Sequence, residues 1–264
     1  MESNTKVVIM CGGLGTRLRE ETEFKPKPMV LVGGMPILWH IMKIYSHFGF
    51  RDFVLCLGYR GDYIKQHFLN QELMNQDFTI SLRDGKKTVH DGASAMEDWN
   101  ITFAETGLNA MTGARVKRIE RYVDSDRFML TYGDGVADID VKKLLEFHQV
   151  KKTIGTLTGV NPQSRFGLIK STQDGFVNGF VEKPVLRDDF VNVGFYVFRK
   201  DIFDYLQDGD SCVLETEPLN RLVKEKQLSM YKHNSFWQCM DTYRDYLELN
   251  RIWDSGKVPW KVWK

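Results

Sequence analysis

The first half of the chain alternates short apolar runs with amphipathic stretches. Residues 7–10 form the apolar run Val7-Val8-Ile9-Met10, which ends in a polar, glycine-rich stretch from residue 11 to residue 27. An apolar run of that length closed by glycine reads as a buried strand. Ile37, Ile41, Ile44 and Phe48 then recur at helical spacing, with Pro36 suited to a first turn and Gly49 to a helix end. Residues 53–57 are a second apolar run, and Asp62 has the character of an N-cap for a helix through residue 68. Strand, helix, strand, helix points to a mostly parallel sheet covered by helices.

Residues 70–100 break this rhythm, being polar, punctuated by Gly85 and Gly92 and poor in periodic hydrophobes. They read as an inserted hairpin and loop. The alternation resumes with a predicted helix over 117–122, a strand over 128–132, a helix over 141–150 capped by Asp140, and a strand over 154–160. Beyond residue 161 the apolar runs are short and glycine-punctuated, at 168–169, 176–181 and 193–198. A last helix over 242–253 places Tyr246, Leu249, Ile252 and Trp253 on one face. The expectation is a single α/β domain over 1–264, with a Rossmann-like mixed sheet flanked by helices and one inserted segment.

Composition narrows the function. A chain of 264 residues with 42% hydrophobic and 27% charged residues can bury a sizeable core. A net charge of +1 gives no global basic field for nucleic acid. Any anion must therefore be held by a local cluster. The cysteines at 11, 56, 212 and 239 form no CxxC pair and have no histidine at zinc-ligand spacing, which reads as reduced structural thiols. The N-terminal residues lack the apolar length of a secretory signal, and no apolar run approaches a membrane span. The expected location is the cytoplasm, with no membrane partner.

The strongest local cluster is Gly12-Gly13-Leu14-Gly15-Thr16-Arg17-Leu18, followed by Lys25-Pro26-Lys27-Pro28. Glycines let backbone amides approach a ligand and form an anion-binding concavity. Arg17 and Lys27 add fixed positive charge, so the stretch suits a triphosphate. It is not a P-loop, because no lysine-hydroxyl pair follows Gly15. It is not a dinucleotide loop either, because Leu18 stands where the third glycine belongs.

This loop resembles the signature loop of the sugar-phosphate nucleotidyltransferases. The likeness runs from residue 6 to residue 263 and includes Thr131-Tyr132-Gly133-Asp134-Gly135, Phe236-Trp237-Gln238-Cys239-Met240-Asp241-Thr242 and Pro259-Trp260-Lys261-Val262-Trp263. It is strongest toward the branch that joins CTP to glucose 1-phosphate, with UTP or dTTP as alternative nucleotides. The resemblance implies Mg²⁺ held by Asp134 and Asp241, catalytic roles for Arg17 and Lys27, and nucleotide contacts from Gly12, Gly13, Gly15, Thr16, Arg17, Lys27 and Arg115. It also implies a sugar-phosphate site at Gly167, Glu182, Lys183 and Asn192, and a homo-oligomer in which the inserted segment makes subunit contacts. Two positions depart from the branch pattern: Ala114 and Val193 each stand where a glycine is expected. The rival readings are a catalytically inactive nucleotide-sugar sensor and, more distantly, an NAD-dependent oxidoreductase.

Overall fold

The computed structural model describes residues 5–74, 76–90, 97–164 and 166–264. Seven strands build the main sheet: β1 (Val7–Met10), β2 (Asp52–Leu57), β3 (Asn100–Glu105), β4 (Arg127–Tyr132), β5 (Gly155–Val160), β6 (Val191–Arg199) and β7 (Leu228–Lys232). Their order across the sheet is β7-β5-β6-β4-β1-β2-β3. β6 runs antiparallel to both neighbours, and every other pairing is parallel. Apart from a single helical turn over Arg19–Thr22, the α-helices are α1 (Ile37–His47), α2 (Gly61–Met74), α3 (Thr112–Arg118), α4 (Val141–Lys151), α5 (Glu217–Lys224) and α6 (Tyr243–Asp254). The mixed α/β architecture read from the sequence is the one observed.

The period-2 alternation of a strand divides the core into two layers. Val7 and Ile9 pack on one face of the sheet with Ile41, Leu144 and Trp260, whereas Val8 and Met10 pack on the other with Val116, Phe128 and Phe203. Fully burying a side chain of Ile or Phe size contributes about 1.5–3 kcal/mol, so both layers are needed to hold the central strands. Trp260 is fully buried, and its indole N–H donates to His40 Nδ1 at 3.4 Å while His40 Nε2 donates to the Val32 carbonyl at 2.8 Å.

Several boundaries differ from the pattern reading. Helix α2 continues to Met74, and it begins at Gly61, so Asp62 lies inside its first turn. Phe78–Ile80 pairs with Lys87–Val89 as a hairpin in the segment read as inserted, but residue 100 already opens β3, an edge strand of the main sheet. Gly92 lies outside the described residues. The helix expected over 117–122 starts earlier, at Thr112, and ends in a separate 3-10 turn over Glu120–Tyr122. β7 and α5 were not anticipated. The Asp140 cap is present and accepts from the amides of Lys142 and Lys143.

Candidate active site

Strand order reverses beside β1: β2 lies on one side, and β4 on the other after β3 has been laid down. In open α/β sheets ligands bind beyond the carboxyl ends of strands at such a switch point. The glycine loop leaves the end of β1 and Asp134 leaves the end of β4, so topology alone brings them together. Gly133 N–H donates to the Met10 carbonyl at 3.1 Å, which stitches the two strand ends to each other.

Gly15 sits at φ +65, a left-handed conformation that favours glycine. Its carbonyl accepts from the Leu18 amide at 3.0 Å and from Thr22 Oγ1 at 3.0 Å, closing the loop into a helical turn. Two adjoining cavities of about 280 and 440 Å³ open against this loop. Gly12, Gly13, Gly15, Lys27, Arg115 and Asp134 line both, and Thr16 and Arg17 line the outer one. A larger depression of about 930 Å³ lies elsewhere, around Arg127, Arg199 and Lys200. Glu120, Asp126, Asp201 and Asp204 share its walls and balance those cations, and no glycine-rich backbone reaches it.

Asp241 is separated from Asp134 by 107 residues and reaches it through a small ladder. Trp237–Cys239 pairs antiparallel with Gly135–Ala137, and the Met240 amide donates to the Asp134 carbonyl at 2.8 Å. The Lys27 ammonium lies between the two carboxylates, 2.6 Å from Asp134 Oδ2 and 2.6 Å from Asp241 Oδ1. Arg17 Nη1 is 3.0 Å from Asp241 Oδ2, with the rest of its side chain in solvent. Burial works against the charged form of Asp241, but the hydrogen bond and charge of Lys27, with the charge of Arg17, outweigh it and hold the carboxyl below its ordinary range. For Lys27, burial disfavours the charge, and the Asp134 and Asp241 carboxylates more than restore it, raising the ammonium above its usual value.

Asp245, four residues beyond Asp241, is committed elsewhere. Its Oδ2 accepts from the Asp241 amide, the Thr242 amide and the Thr242 hydroxyl, completing a capping box at the start of α6. Among the described residues no group of three or more His, Cys, Asp or Glu side chains is placed to hold a metal ion. Two carboxylates suffice for Mg²⁺, which fills the rest of its octahedron with phosphate oxygens and water.

Arg115 was expected beside the triphosphate. The structure puts its guanidinium beneath the glycine loop, 5% exposed, where its terminal nitrogens donate inward to protein oxygens. Ala114, one of the departures from the branch pattern, packs in the core at 1% exposure and lines neither of these two cavities. Val193 is buried as well, in the opposite core layer. Gly194 beside it takes φ +81 against the Tyr132 ring, and Asn192 Oδ1 accepts the Gly194 amide at 3.1 Å.

The residues expected to hold the sugar phosphate stand apart from this cluster. Leu168–Ser171 and Val177–Val181 form a separate two-stranded hairpin, and Glu182 and Lys183 follow its second strand. Their side chains are largely exposed and pair with each other at 3.6 Å. Gly167 precedes the first strand and lies against Phe180 and Glu182 at this same end of the hairpin. Arg165, its companion in the sequence motif, lies outside the described residues. Among the described residues no hydrogen bond or ion pair joins Glu182 or Lys183 to Lys27, Asp134 or Asp241. Sequence reasoning missed Leu108, Asn109, Ala110 and Met111, which form the wall opposite the glycine loop. The available signal was Gly107, a glycine just past Thr106 at the end of the edge strand β3.

The fold, the glycine loop at the switch point and the paired aspartates define a nucleotide-transferring α/β protein. The nucleotidyl transferase family profile matches residues 6–255, and the chain belongs to that family. Within it, the chain is 46% identical over 260 residues to glucose-1-phosphate cytidylyltransferase of Salmonella typhi, covering 98% of this chain and 100% of that one. It is 45% identical over 260 residues to glucose-1-phosphate cytidylyltransferase of Salmonella typhimurium, with the same coverage. The crystal structure of HddC from Yersinia pseudotuberculosis shares the fold with a TM-score of 0.68 at 24% identity, covering 94% of this chain and 99% of that one.

Proposed function

We propose that this chain transfers a cytidylyl group from CTP to α-D-glucose 1-phosphate, giving CDP-glucose and pyrophosphate. The observation that carries the reading is the Lys27 ammonium bridging Asp134 and Asp241 beside the glycine loop. Two carboxylates that already gather one cation form a donor set suited to Mg²⁺, and Asp134 and Asp241 would hold it. When bound, Mg²⁺ supplies charge neutralisation for the triphosphate.

The chemistry is an in-line displacement. A sugar-phosphate oxygen attacks the α-phosphorus of CTP, the bond from that phosphorus to the bridging oxygen breaks, and pyrophosphate leaves with the electron pair. A phosphate monoester is already largely ionised at neutral pH, so no general base is required. Positioning and charge stabilisation carry such a reaction. Backbone amides of Gly12 to Thr16 cradle the phosphates. Lys27 exchanges its carboxylate partners for a phosphate oxygen, and Arg17, exposed beside Asp241, neutralises charge from the solvent side. Lys183 holds the attacking phosphate and Glu182 accepts from sugar hydroxyls, with Gly167 and Asn192 completing the sugar-phosphate site.

We also read residues 1–264 as one nucleotidyltransferase domain working as a homo-oligomer. Phe166, Ile169, Phe176, Val177 and Phe180, on or beside this hairpin, are more than 60% exposed, and exposed large apolar side chains concentrated in one short segment fit a protein interface. Light scattering that returns a 30.7 kDa particle at micromolar concentration would contradict this part. No helix among the described residues is long and apolar enough to cross a membrane.

The test of the reaction is pyrophosphate release with each of CTP, UTP and dTTP against each of several hexose 1-phosphates. CTP with glucose 1-phosphate is expected to give the highest kcat/KM. A higher value for UTP or dTTP would reassign the nucleotide, and no release with any pair would favour a sensor.

A further inference from the structure

The segments that carry the two aspartates meet in a ladder of three residue pairs, Gly135–Ala137 against Trp237–Cys239, outside the main sheet. A two-stranded pairing is marginally stable by itself. Its register nevertheless decides the site. A slip of one residue would carry Asp241 about 3.3 Å along its strand and turn the side chain to the other face. Asp134 and Asp241 could then no longer share one cation.

The end of the ladder beside the site is closed by the Met240 amide on the Asp134 carbonyl and by the Lys27 bridge. The proposed reaction takes Lys27 out of that bridge. The far end is closed by groups with no part in the chemistry. The Asp138 amide donates to the Phe236 carbonyl at 3.2 Å, and Ser235 Oγ donates to Asp138 Oδ2. His233 Nε2 donates to the Phe236 carbonyl at 3.1 Å and lies 3.0 Å from Asp138 Oδ1. That oxygen is buried and accepts no hydrogen bond of its own among the described residues. Burying such an oxygen costs stability, so packing alone does not account for the carboxylate. His233 is 8% exposed, and its amide donates to the Gly159 carbonyl of β5 at 2.9 Å. The latch thus ties the ladder across itself and to the main sheet.

We infer that Asp138 is a positioning residue which, through Ser235 and His233, fixes the register of this ladder and with it the spacing of the Asp134 and Asp241 carboxylates. This rests on the reading of those two aspartates as the cation-binding pair. Asp138 stands four residues past Asp134, roughly 13 Å along an extended strand at about 3.3 Å per residue. Neither it nor Ser235 nor His233 lines the cavities at the glycine loop. Asp138 acts through the backbone and touches no substrate.

The experiment uses the full chain and the variants Asp138→Ala, Asp138→Asn and Ser235→Ala. Mn²⁺, which shares the oxygen ligands of Mg²⁺, is titrated with each in the presence of a non-reacting α,β-methylene analogue of CTP, and free Mn²⁺ is read by electron paramagnetic resonance. The KM for glucose 1-phosphate and the melting temperature are measured alongside. Asp138→Ala should weaken Mn²⁺ binding about ten-fold or more, the scale of losing an indirect support of a metal site, and leave the KM for glucose 1-phosphate unchanged. Asp138→Asn keeps an acceptor for the Ser235 hydroxyl and should lie closer to the wild type. Ser235→Ala keeps the charge and removes only the hydrogen bond, and a smaller shift in the same direction is expected. A lower melting temperature with unaltered Mn²⁺ affinity in Asp138→Ala would make the latch purely structural and overturn the inference. So would a shift in Asp138→Ala with none in Ser235→Ala, which would assign the effect to long-range charge. Failure of all three variants to fold would overturn it too, by making the latch a folding element. A wild type that binds no Mn²⁺ beside the analogue would instead overturn the reading of the aspartate pair.

Discussion

The two halves of the proposed site are built differently. The nucleotide half grows from the ends of β1 and β4 in the parallel part of the sheet, and its central cation, the Lys27 ammonium, is 12% exposed with both carboxylate partners at 2.6 Å. In the proposed sugar half Asn192 lies on β6, but Glu182 and Lys183 follow a hairpin outside the main sheet, where Lys183 is 49% exposed and Glu182 is 60% exposed. The first is organised before any ligand arrives, and Glu182 and Lys183 in the second are bound only to each other across 3.6 Å. A preorganised charge is effective because no free energy is spent arranging it during the reaction. Substitutions in the first half should therefore act on kcat, and those in the second on the KM for the sugar phosphate.

The largest effect is expected from Lys27→Ala. It removes the cation shared by Asp134 and Asp241, and kcat/KM should fall by about 10²-fold or more, the scale of one preorganised donor. Normal turnover in a variant with an unchanged circular dichroism spectrum would remove Lys27 from the chemistry. Next come Asp134→Asn and Asp241→Asn. Indirect changes around a metal cost about 10–100-fold, so loss of a direct ligand should cost at least that much and shift the Mg²⁺ midpoint upward. Because Asp245 is tied into its capping box, it cannot stand in for Asp241, and the two variants are expected to be damaged alike. An unchanged Mg²⁺ midpoint for either one would strike it from the ligand set.

Lys183→Ala sharpens the contrast. Loss of one charge-assisted hydrogen bond is worth about ten-fold or somewhat more. It should appear in the KM for glucose 1-phosphate, with the KM for CTP unaltered. A matching rise in both would mean that the hairpin serves the nucleotide too.

How much of this was legible in the residues depended on how local the signal was. β1, α1, α4 and the glycine loop announce themselves through runs, periodicity and caps within a dozen residues. β3 and β7 did not, because strands such as Asn100–Glu105 and Leu228–Lys232 mix polar and apolar residues at the sheet edges, where only one neighbour constrains them. The joining of Asp134 to Asp241 was not legible from pattern, since it depends on a three-residue ladder between Gly135–Ala137 and Trp237–Cys239, far apart in the sequence. Arg115 was noticed for its charge, but its direction was hidden: nothing in Thr112-Gly113-Ala114-Arg115 says that the guanidinium turns inward toward Gly12 and Gly58.

The smallest expected effect concerns stability away from the site. Burial lowers the pKa of His40 to about 4, and burial together with the Arg127 and Arg199 charges lowers that of His148 to about 4. The unfolded chain binds these protons near the ordinary value of about 6.5. Between pH 4 and 6.5 the unfolded state thus holds more protons, and stability rises with pH through that window. The contribution is complete above about pH 6.5 and is lost as the pH falls toward 4, at no more than about 1.4 kcal/mol per unit for each histidine. Melting temperatures of the wild type and of His148→Gln across that range should diverge in slope, the variant being flatter. Parallel curves would show that His148 is not held neutral.

The central claim is attack by a sugar-phosphate oxygen on the α-phosphorus of CTP, and isotope transfer tests it most directly. Glucose 1-phosphate carrying ¹⁸O in its phosphate is incubated with the purified chain, CTP and Mg²⁺, and the products are weighed by mass spectrometry. All of the label is expected in CDP-glucose, with unlabelled pyrophosphate. Label in pyrophosphate, or the absence of CDP-glucose while CTP is consumed, would contradict the account.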